Sequence, residues 1–542
     1  MATATAKPEV FTRKASGLVR VMSPFSAFVY NILTMGLIFP WTYLWAPGAL
    51  PGGKLVWGIL LAMVIEIPIA LVYVWLSTAM PRSGGDYVFQ SRVFGGGVAF
   101  TVVMSGYVIW ILQWVALSGW LLAYLGFAPL FLGLGAFTDN AAMTNLGLWF
   151  TGSTGIIITS ILNAFVAMMI LISGFKNYVR FQSVMIVGTL LAFITMLAVL
   201  FTGNPDSSVA KLDAFALAIS GVSNFVQTAK DATVAAGIDL NPPFSMIATL
   251  LVAPIAWTSL QWATYSAQQN GEIKNARSFK DQLFIIVGSL IFTGILLAIL
   301  AAALEKAVGT EFLYIAGAGY WSLIGEATIS GFWLWPNIIA VALSGSPLVV
   351  IIIGLGYILN SHQIVHNCYI GMTRVMVAMS LDRLLPEAIS KVDDKRHTPA
   401  NAHWAYFIAS IPVILLYNLY PGWVGLTLGV TFACGYVFVI TCLAGALLPY
   451  RAKDVYESSP GAAYKVGGIP LVTILGGLGF IFGTVFLLMF MFDPRLGLTS
   501  PLAYQIVFGV LLVSAIWYFI AKNTQKSKGI NVDYAFKEIP PE

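Results

Sequence analysis

Apolar residues run along this chain in blocks of roughly twenty, the length an α-helix needs to cross a ~30 Å hydrocarbon core. Polar and Pro/Gly-rich breaks set the spans near 24–47, 54–79, 98–126, 147–173, 179–203 and 243–268, and then near 282–304, 345–373, 401–418, 424–450, 469–491 and 502–521. The pattern predicts an all-α integral membrane protein of about twelve helices. An even number of crossings puts both termini on one side. Two connections, 204–242 and 305–336, are long enough for short helices over the opposite mouth, and Trp321, Trp333 and Trp335 suit an interfacial position there.

Composition agrees: of 542 residues, 58% are hydrophobic and 9% charged, against about 25% charged in soluble domains. The net charge of +5 does not point to nucleic acid, because the basic residues are scattered between spans and form no stripe. All but Lys54, Lys211, Lys230, Lys306 and Arg495 of the 28 Lys and Arg fall on the N-terminal side. The positive-inside rule therefore predicts cytoplasmic N- and C-termini in a multi-pass protein of the cell (plasma) membrane, with the lipid bilayer as its solvent. The first 23 residues, with Lys7, Arg13, Lys14 and Arg20, lead to no cleavage site, so no cleaved signal peptide is expected. Cys368, Cys434 and Cys442 lie in or at the edge of apolar runs and read as packing thiols.

Polar residues and helix breakers cluster inside two spans. In the first, Asn31, Thr34, Met35 and Gly36 are followed by Pro40; in the sixth, Pro254 precedes Ala256, Trp257, Thr258, Ser259 and Gln261. A backbone unwound inside lipid must be satisfied by protein, so such clusters mark helices broken beside a cavity. The two spans are five apart, and an odd-numbered unit inserted twice must have inverted topology. Paired discontinuous helices in inverted repeats point to a secondary transporter with a midplane site, where orphan N–H groups hold a carboxylate and orphan carbonyls an ammonium or cation. The chain then divides into a cytoplasmic segment 1–23, a first repeat 24–203, an outer loop 204–242 and a second repeat 243–450. Two additional helices within 451–521 and a cytoplasmic tail 522–542 complete it.

After the second span the chain reads Ala79-Met80-Pro81-Arg82-Ser83-Gly84-Gly85-Asp86-Tyr87-Val88-Phe89, then Arg92 and Gly95 to Gly97; after the sixth, Gly271-Glu272-Ile273-Lys274-Asn275. After the eighth come Thr373-Arg374-Val375, Met379, Asp382, Leu385-Pro386 and Thr398-Pro399. These motifs resemble those of the amino acid, polyamine and organocation transporter superfamily, and the chain looks amino acid permease-like. The resemblance implies a five-plus-five inverted repeat with two further helices, rocking between outward-open and inward-open states, and amino acids or related amines as substrates. Arg82, Asp86, Glu272 and Arg374 become candidates for a cytoplasmic gate. Gly84 and Gly85 allow a tight turn there, while plain positive-inside anchoring is the alternative. Two departures stand out. Where family members carry a Gly-rich stretch, this chain has only Met35-Gly36-Leu37-Ile38-Phe39, and 179–203 lacks a lysine, with Arg180 at its edge, so a lysine surrogate for sodium is not expected.

Glu66 is the one acidic residue at mid-membrane depth in this reading, costing at least ~2.5 kcal/mol if charged. It is either a proton-coupling group or a neutral carboxyl tying helices across the Pro68 kink. His362 and His366 share a face of the eighth span with Asn360, Ser361 and Asn367 nearby. Interhelical hydrogen bonding, proton relay and metal ligation are all open, although no third ligand is evident and no metal is expected. The family implies that an eighth-helix hydroxyl can complete a sodium site, which nominates Ser361; no cofactor is expected beyond a coupling Na+ or H+. Tyr107, Trp110 and Trp257 either line and gate the pocket or fill the bundle.

No nucleophile–base motif, His-Glu-x-x-His run or phosphate-binding loop is present, which argues against a membrane enzyme or an ATP-driven pump. Nor is a repeated selectivity loop visible. The expectation is a secondary active permease of amino acids or related amines. A carrier of nucleobases or polyamines, or a non-transporting sensor, is the alternative, and the oligomeric state is open.

Overall fold

The computed structural model describes residues 16–38, 41–420, 423, 427–497 and 500–539, with the side chains of 427–433 left aside. Lys7, Arg13, Lys14, Phe39, Pro40 and the first residues of the expected tenth span lie outside these. Among the described residues eleven helices are long and apolar enough to cross a membrane. They are Leu55–Ala79, Gly96–Thr138, Ser153–Ile172, Phe175–Thr202, Met246–Glu272, Phe279–Trp321, Pro347–Leu381, Ala400–Leu419, Cys434–Arg451, Leu471–Phe492 and Pro501–Ser527. Ahead of them, Pro24–Met35 and Thr42–Ala49 are each too short to cross and form the two halves of a broken first span.

Local chemistry fixes that break. Ser23 caps the first half by accepting from the Ser26 amide, and Pro24 sits at the opening turn, where its missing N–H costs nothing. The half-helix stops at Gly36, whose φ of 75° is the left-handed conformation that glycine adopts without strain.

The sixth span breaks later than its Pro254 cluster predicts. Residues Met246–Leu260 form a continuous α-helix through Pro254, and the change comes at Gln261, where a 3-10 helix runs to Glu272 and Gln269 leaves helical geometry (φ −113°, ψ 28°). Proline removes a single N–H, which a packed membrane helix tolerates. A 3-10 run of this length is uncommon and marks a hinge or a segment held by tertiary contacts. Wider π-helical turns interrupt the third span at Met104–Ile109 and Leu122–Phe127 and the seventh at Leu283–Gly288.

Large apolar side chains are exposed at helical spacing, as with Val184, Val187, Leu191 and Ile194 on the fifth span. In a bilayer this face meets lipid. Away from the N-terminal face, Pro205–Ser220 and Phe225–Ala235, bent by 93°, lie in the first long connection as expected. The second connection differs: Trp335 is fully buried rather than interfacial. Its ring meets Trp41 at 4.9 Å and Tyr320 at 6.1 Å, while Trp321 stacks on Trp45 at 6.0 Å and Trp333 packs on Tyr320 at 5.1 Å. Indoles gain more here from covering one another and the first span's second half than from headgroups, and they form an aromatic lid.

The second half of the first span lies so close to the seventh that a Cβ at Gly317 would overlap the Gly48 backbone. Gly317→Val should therefore destabilise the protein by about 1–3 kcal/mol through overpacking. Gly325→Val, with no atom within 4 Å of the new Cβ, should leave the melting temperature in detergent nearly unchanged, and melting curves of the two variants check this.

Candidate substrate site

Asn31 assembles the site. Its Oδ1 accepts from the Ser266 amide at 2.9 Å, and its Nδ2 donates to Ser266 Oγ and the Ile285 carbonyl, both at 3.1 Å. One side chain thereby binds the first span to the 3-10 segment of the sixth and to the π turn of the seventh. Tyr30 stacks on Tyr265 with centroids 6.2 Å apart and planes 3° from parallel.

One turn on, the Thr34 hydroxyl donates to the Tyr30 carbonyl and accepts from Asn367 Nδ2, each at 2.6 Å. Asn367 Oδ1 accepts from Gln363 at 2.5 Å; Gln363 also donates to the Tyr178 hydroxyl, which donates to Gln182 Oε1 at 2.8 Å. Gln182 Nε2 returns to the Ser26 carbonyl at 2.8 Å. A neutral chain of amides and hydroxyls thus joins the first, fifth and eighth spans. It runs through the fifth span, where no lysine was expected.

Between these breaks lies a cavity of about 30 Å³, walled by Thr34, Ile111, Trp114, Trp262, Tyr265, Ile364, Asn367 and Cys368. It holds a water or two and no amino acid. Of the sequence-predicted substrate residues, only Thr34 is among its walls. Asn31, Met35 and Gly36 hold the break beside it. Tyr107 stands behind, its ring 6.3 Å from Trp262 and 6.4 Å from Tyr265.

Ala256, Trp257, Thr258 and Ser259 are not part of the wall. The Thr258 hydroxyl bonds back to the Ile255 carbonyl, and Trp257 turns away, donating from Nε1 to Glu66 Oε2 at 2.6 Å and packing on Phe438 and Phe486. The physical reason is the helix itself: three α-helical steps of about 100° and two 3-10 steps of about 120° set Trp257 roughly 180° from Trp262 around the axis. Glu66 therefore ties the second span to the sixth. Ser361 is buried, and it is Asn360 that reaches a first-span carbonyl, Leu33, at 3.4 Å. His362 Nδ1 meets Asn163 Oδ1 at 2.6 Å, a bond between the eighth and fourth spans outside the cavity wall. Among the described residues no His/Cys/Asp/Glu group can hold a metal.

At the N-terminal face the predicted gate residues are partly gathered. Arg374 grips Glu272 with Nε to Oε2 at 2.7 Å and Nη2 to Oε1 at 2.9 Å, both side chains fully buried, and the guanidinium lies 5.0 Å over Phe175. Val21 and Met22 donate to the Glu272 carbonyl at 3.0 Å, clamping the entering chain to the end of the 3-10 helix. Arg92 pairs with Asp382 at 3.2 Å, which also accepts from Tyr87 at 2.8 Å. Asp86 departs from the expected charged contact: its carboxylate accepts from Tyr73, from Gln268 and, at 2.5 Å, from Thr441, none of them a cation. Arg82 donates to the neighbouring Pro81 carbonyl at 3.0 Å.

Sequence reasoning missed Trp114, Trp262, Tyr265, Ser266, Gln268, Tyr178, Gln182 and Gln363. The available signal was the run Gln261-Trp262-Ala263-Thr264-Tyr265-Ser266-Ala267-Gln268-Gln269-Asn270, too polar to face lipid.

A family model described as amino acid permease matches residues 23–513. The chain belongs to the amino acid permease family. Membership places it with multi-pass transporters of small molecules rather than with enzymes. The permease is 25% identical over 444 residues to the branched-chain amino acid permease BcaP of Lactococcus lactis subsp. cremoris, covering 80% of this chain and 81% of that protein. It is also 32% identical over 102 residues to uncharacterized protein 399 of Sulfolobus islandicus rod-shaped virus 1, which spans 17% of this chain and only 26% of the viral protein.

The buried Glu272–Arg374 pair yields a stability prediction. Removing one partner, as in Glu272→Gln or Arg374→Met, should cost about 3–5 kcal/mol because it strands a buried charge, while replacing both by Met should cost less than the sum. Melting of the three variants in detergent checks the sign of the coupling.

Proposed function

We propose that this permease carries neutral amino acids with apolar side chains across the cell membrane by alternating access, with both termini in the cytoplasm. The observation that carries this reading is the cavity between the two breaks, whose walls are apolar and aromatic apart from Thr34 and Asn367. A lysine or glutamate side chain placed there would be desolvated without a counter-charge. The zwitterionic end of an amino acid instead finds backbone: orphan N–H groups suit a carboxylate and orphan carbonyls an ammonium at a helix break. The printed name of the lactococcal relative agrees with this choice of side chain.

A cavity of this size supports a resting form that must widen to admit substrate. On this reading the aromatic lid and the Glu272–Arg374 grip are the two gates that must yield in turn. Admission of substrate requires Trp262 and Tyr265 to move, and the 3-10 helix that carries them is the element least committed to regular geometry. The 23 basic residues on the N-terminal side support a cytoplasmic assignment for that face, since five of the 28 lie opposite.

Counterflow of radiolabelled leucine in proteoliposomes tests the function. Leucine, isoleucine and valine should compete, whereas lysine and glutamate should not. Asn367→Ala should raise the half-saturating leucine concentration about tenfold, the equivalent of one ~1.4 kcal/mol hydrogen bond. Competition by lysine equal to that by valine would contradict the substrate class, and leucine binding without counterflow would favour a sensor.

A further inference from the structure

Asp86 is the buried acid that the substrate site does not use. It opens the short helix Gly85–Phe94 on the N-terminal face, fully buried, and its carboxylate is shared among three elements. Tyr73 on the second span, Gln268 on the 3-10 half of the sixth and Thr441 on the tenth all donate to it. The other titratable groups facing it are Tyr107 on the third span and Cys442 on the tenth. Nearby cations are engaged elsewhere, Arg374 by Glu272 and Arg92 by Asp382. A second observation points from Asp86 to the cavity. The Tyr107 hydroxyl lies beside that of Tyr73 and within electrostatic reach of Asp86, while its ring packs on the cavity-wall residues Trp262 and Tyr265.

We propose that Asp86 is the proton-binding site through which this permease is driven by a proton gradient, loaded while the N-terminal face is shut and emptied when that face opens. The inference rests on the transport reading above and deepens it. In the shut form the carboxyl is out of water, and burial pushes its pKa above the ordinary carboxylate range, with the three donors opposing that rise. When the 3-10 half swings away, Gln268 leaves and water enters, so the carboxyl returns toward its ordinary acidity and gives up the proton on the N-terminal side. Protonation and closure therefore favour each other, as linkage requires. The loading proton comes from water in the opened cavity. Tyr107 passes its proton to Tyr73 and is reprotonated by a hydronium ion of that water, which is left as neutral water; Tyr73 passes its own proton to Asp86, forming the carboxyl O–H, so both phenols end as they began. Glu66 is not on this route: its Oε2 is held by Trp257 Nε1, and it approaches Asp86 only across Cys442.

The test uses full-length protein in proteoliposomes with radiolabelled leucine, comparing exchange at equal pH with accumulation driven by an alkaline interior. Asp86→Asn should lower the ratio of driven accumulation to exchange at least tenfold, and Glu66→Gln should keep the wild-type ratio. Thr441→Val, which removes one donor to the ionised form, should raise the pH midpoint of driven uptake by about one unit; if Asp86→Asn fails to fold, this shift decides the matter. Driven accumulation retained by Asp86→Asn, or wild-type exchange indifferent to the gradient, would overturn the proposal. Absence of leucine exchange in the wild type would overturn the substrate reading instead. Infrared titration of the substrate-free protein then still decides on Asp86: a carboxyl band lost in Asp86→Asn and kept in Glu66→Gln supports the assignment, and a band unaffected by Asp86→Asn overturns it.

Discussion

Hydrocarbon offers nothing to an unpaired N–H or C=O, so a helix can break inside a membrane only where the protein itself supplies partners. Here Asn31 is such a partner. Its amide satisfies the Ser266 N–H and hydroxyl and the Ile285 carbonyl, so that the interruption after Met35 and the 3-10 stretch from Gln261 face each other across one side chain. The cavity and the rings that line it are arranged around that constraint. A helix that ran unbroken through either span would bring no backbone polar groups to the midplane.

The aromatic lid and the N-terminal grip hold by different physics. On the lid side, the indoles of Trp41, Trp120 and Trp335 and the ring of Tyr320 pack on one another, a contact that is non-directional and loses little when rings slide. On the N-terminal side, the Glu272–Arg374 fork and the clamp of Met22 on Lys274 are directional and either made or broken. Opening that face strands buried charge unless water or substrate-driven rearrangement compensates. The neutral chain from Thr34 through Asn367, Gln363, Tyr178 and Gln182 joins the cavity wall to the start of the first helix without any net charge. It gives the first, fifth and eighth spans a shared hydrogen-bonded element.

Membrane class, span count and the existence of two breaks were legible because they depend on composition and on twenty-residue blocks, which tertiary context does not alter. The first break was placed well, since Gly36 stops a helix by its own backbone freedom. The sixth was placed too early: Pro254 is a strong local signal, but a packed helix absorbs it, and the polar run beyond Leu260 holds its conformation only through partners on other spans. The same misplacement sent Ala256 to Ser259 into the expected pocket and left Trp262 and Tyr265 out. Glu272 and Arg374 were found by motif and prove to be partners 2.7 Å apart, whereas Asp86, found the same way, accepts from the neutral donors Tyr73, Gln268 and Thr441. Which side chain faces which is a long-range fact, and for Trp335 hydropathy alone suggested a membrane surface where the fold provides a buried lid.

The central claim is that the chamber between the two breaks is where substrate sits. Cys368 is in its wall, and with Cys434 and Cys442 replaced by Ala it becomes the single thiol of the chain. The rate at which a small membrane-impermeant thiol reagent modifies Cys368 in proteoliposomes tests the claim most directly. Leucine should slow modification saturably, with the same concentration dependence as its transport. A rate unchanged at leucine concentrations that saturate exchange would place the substrate elsewhere.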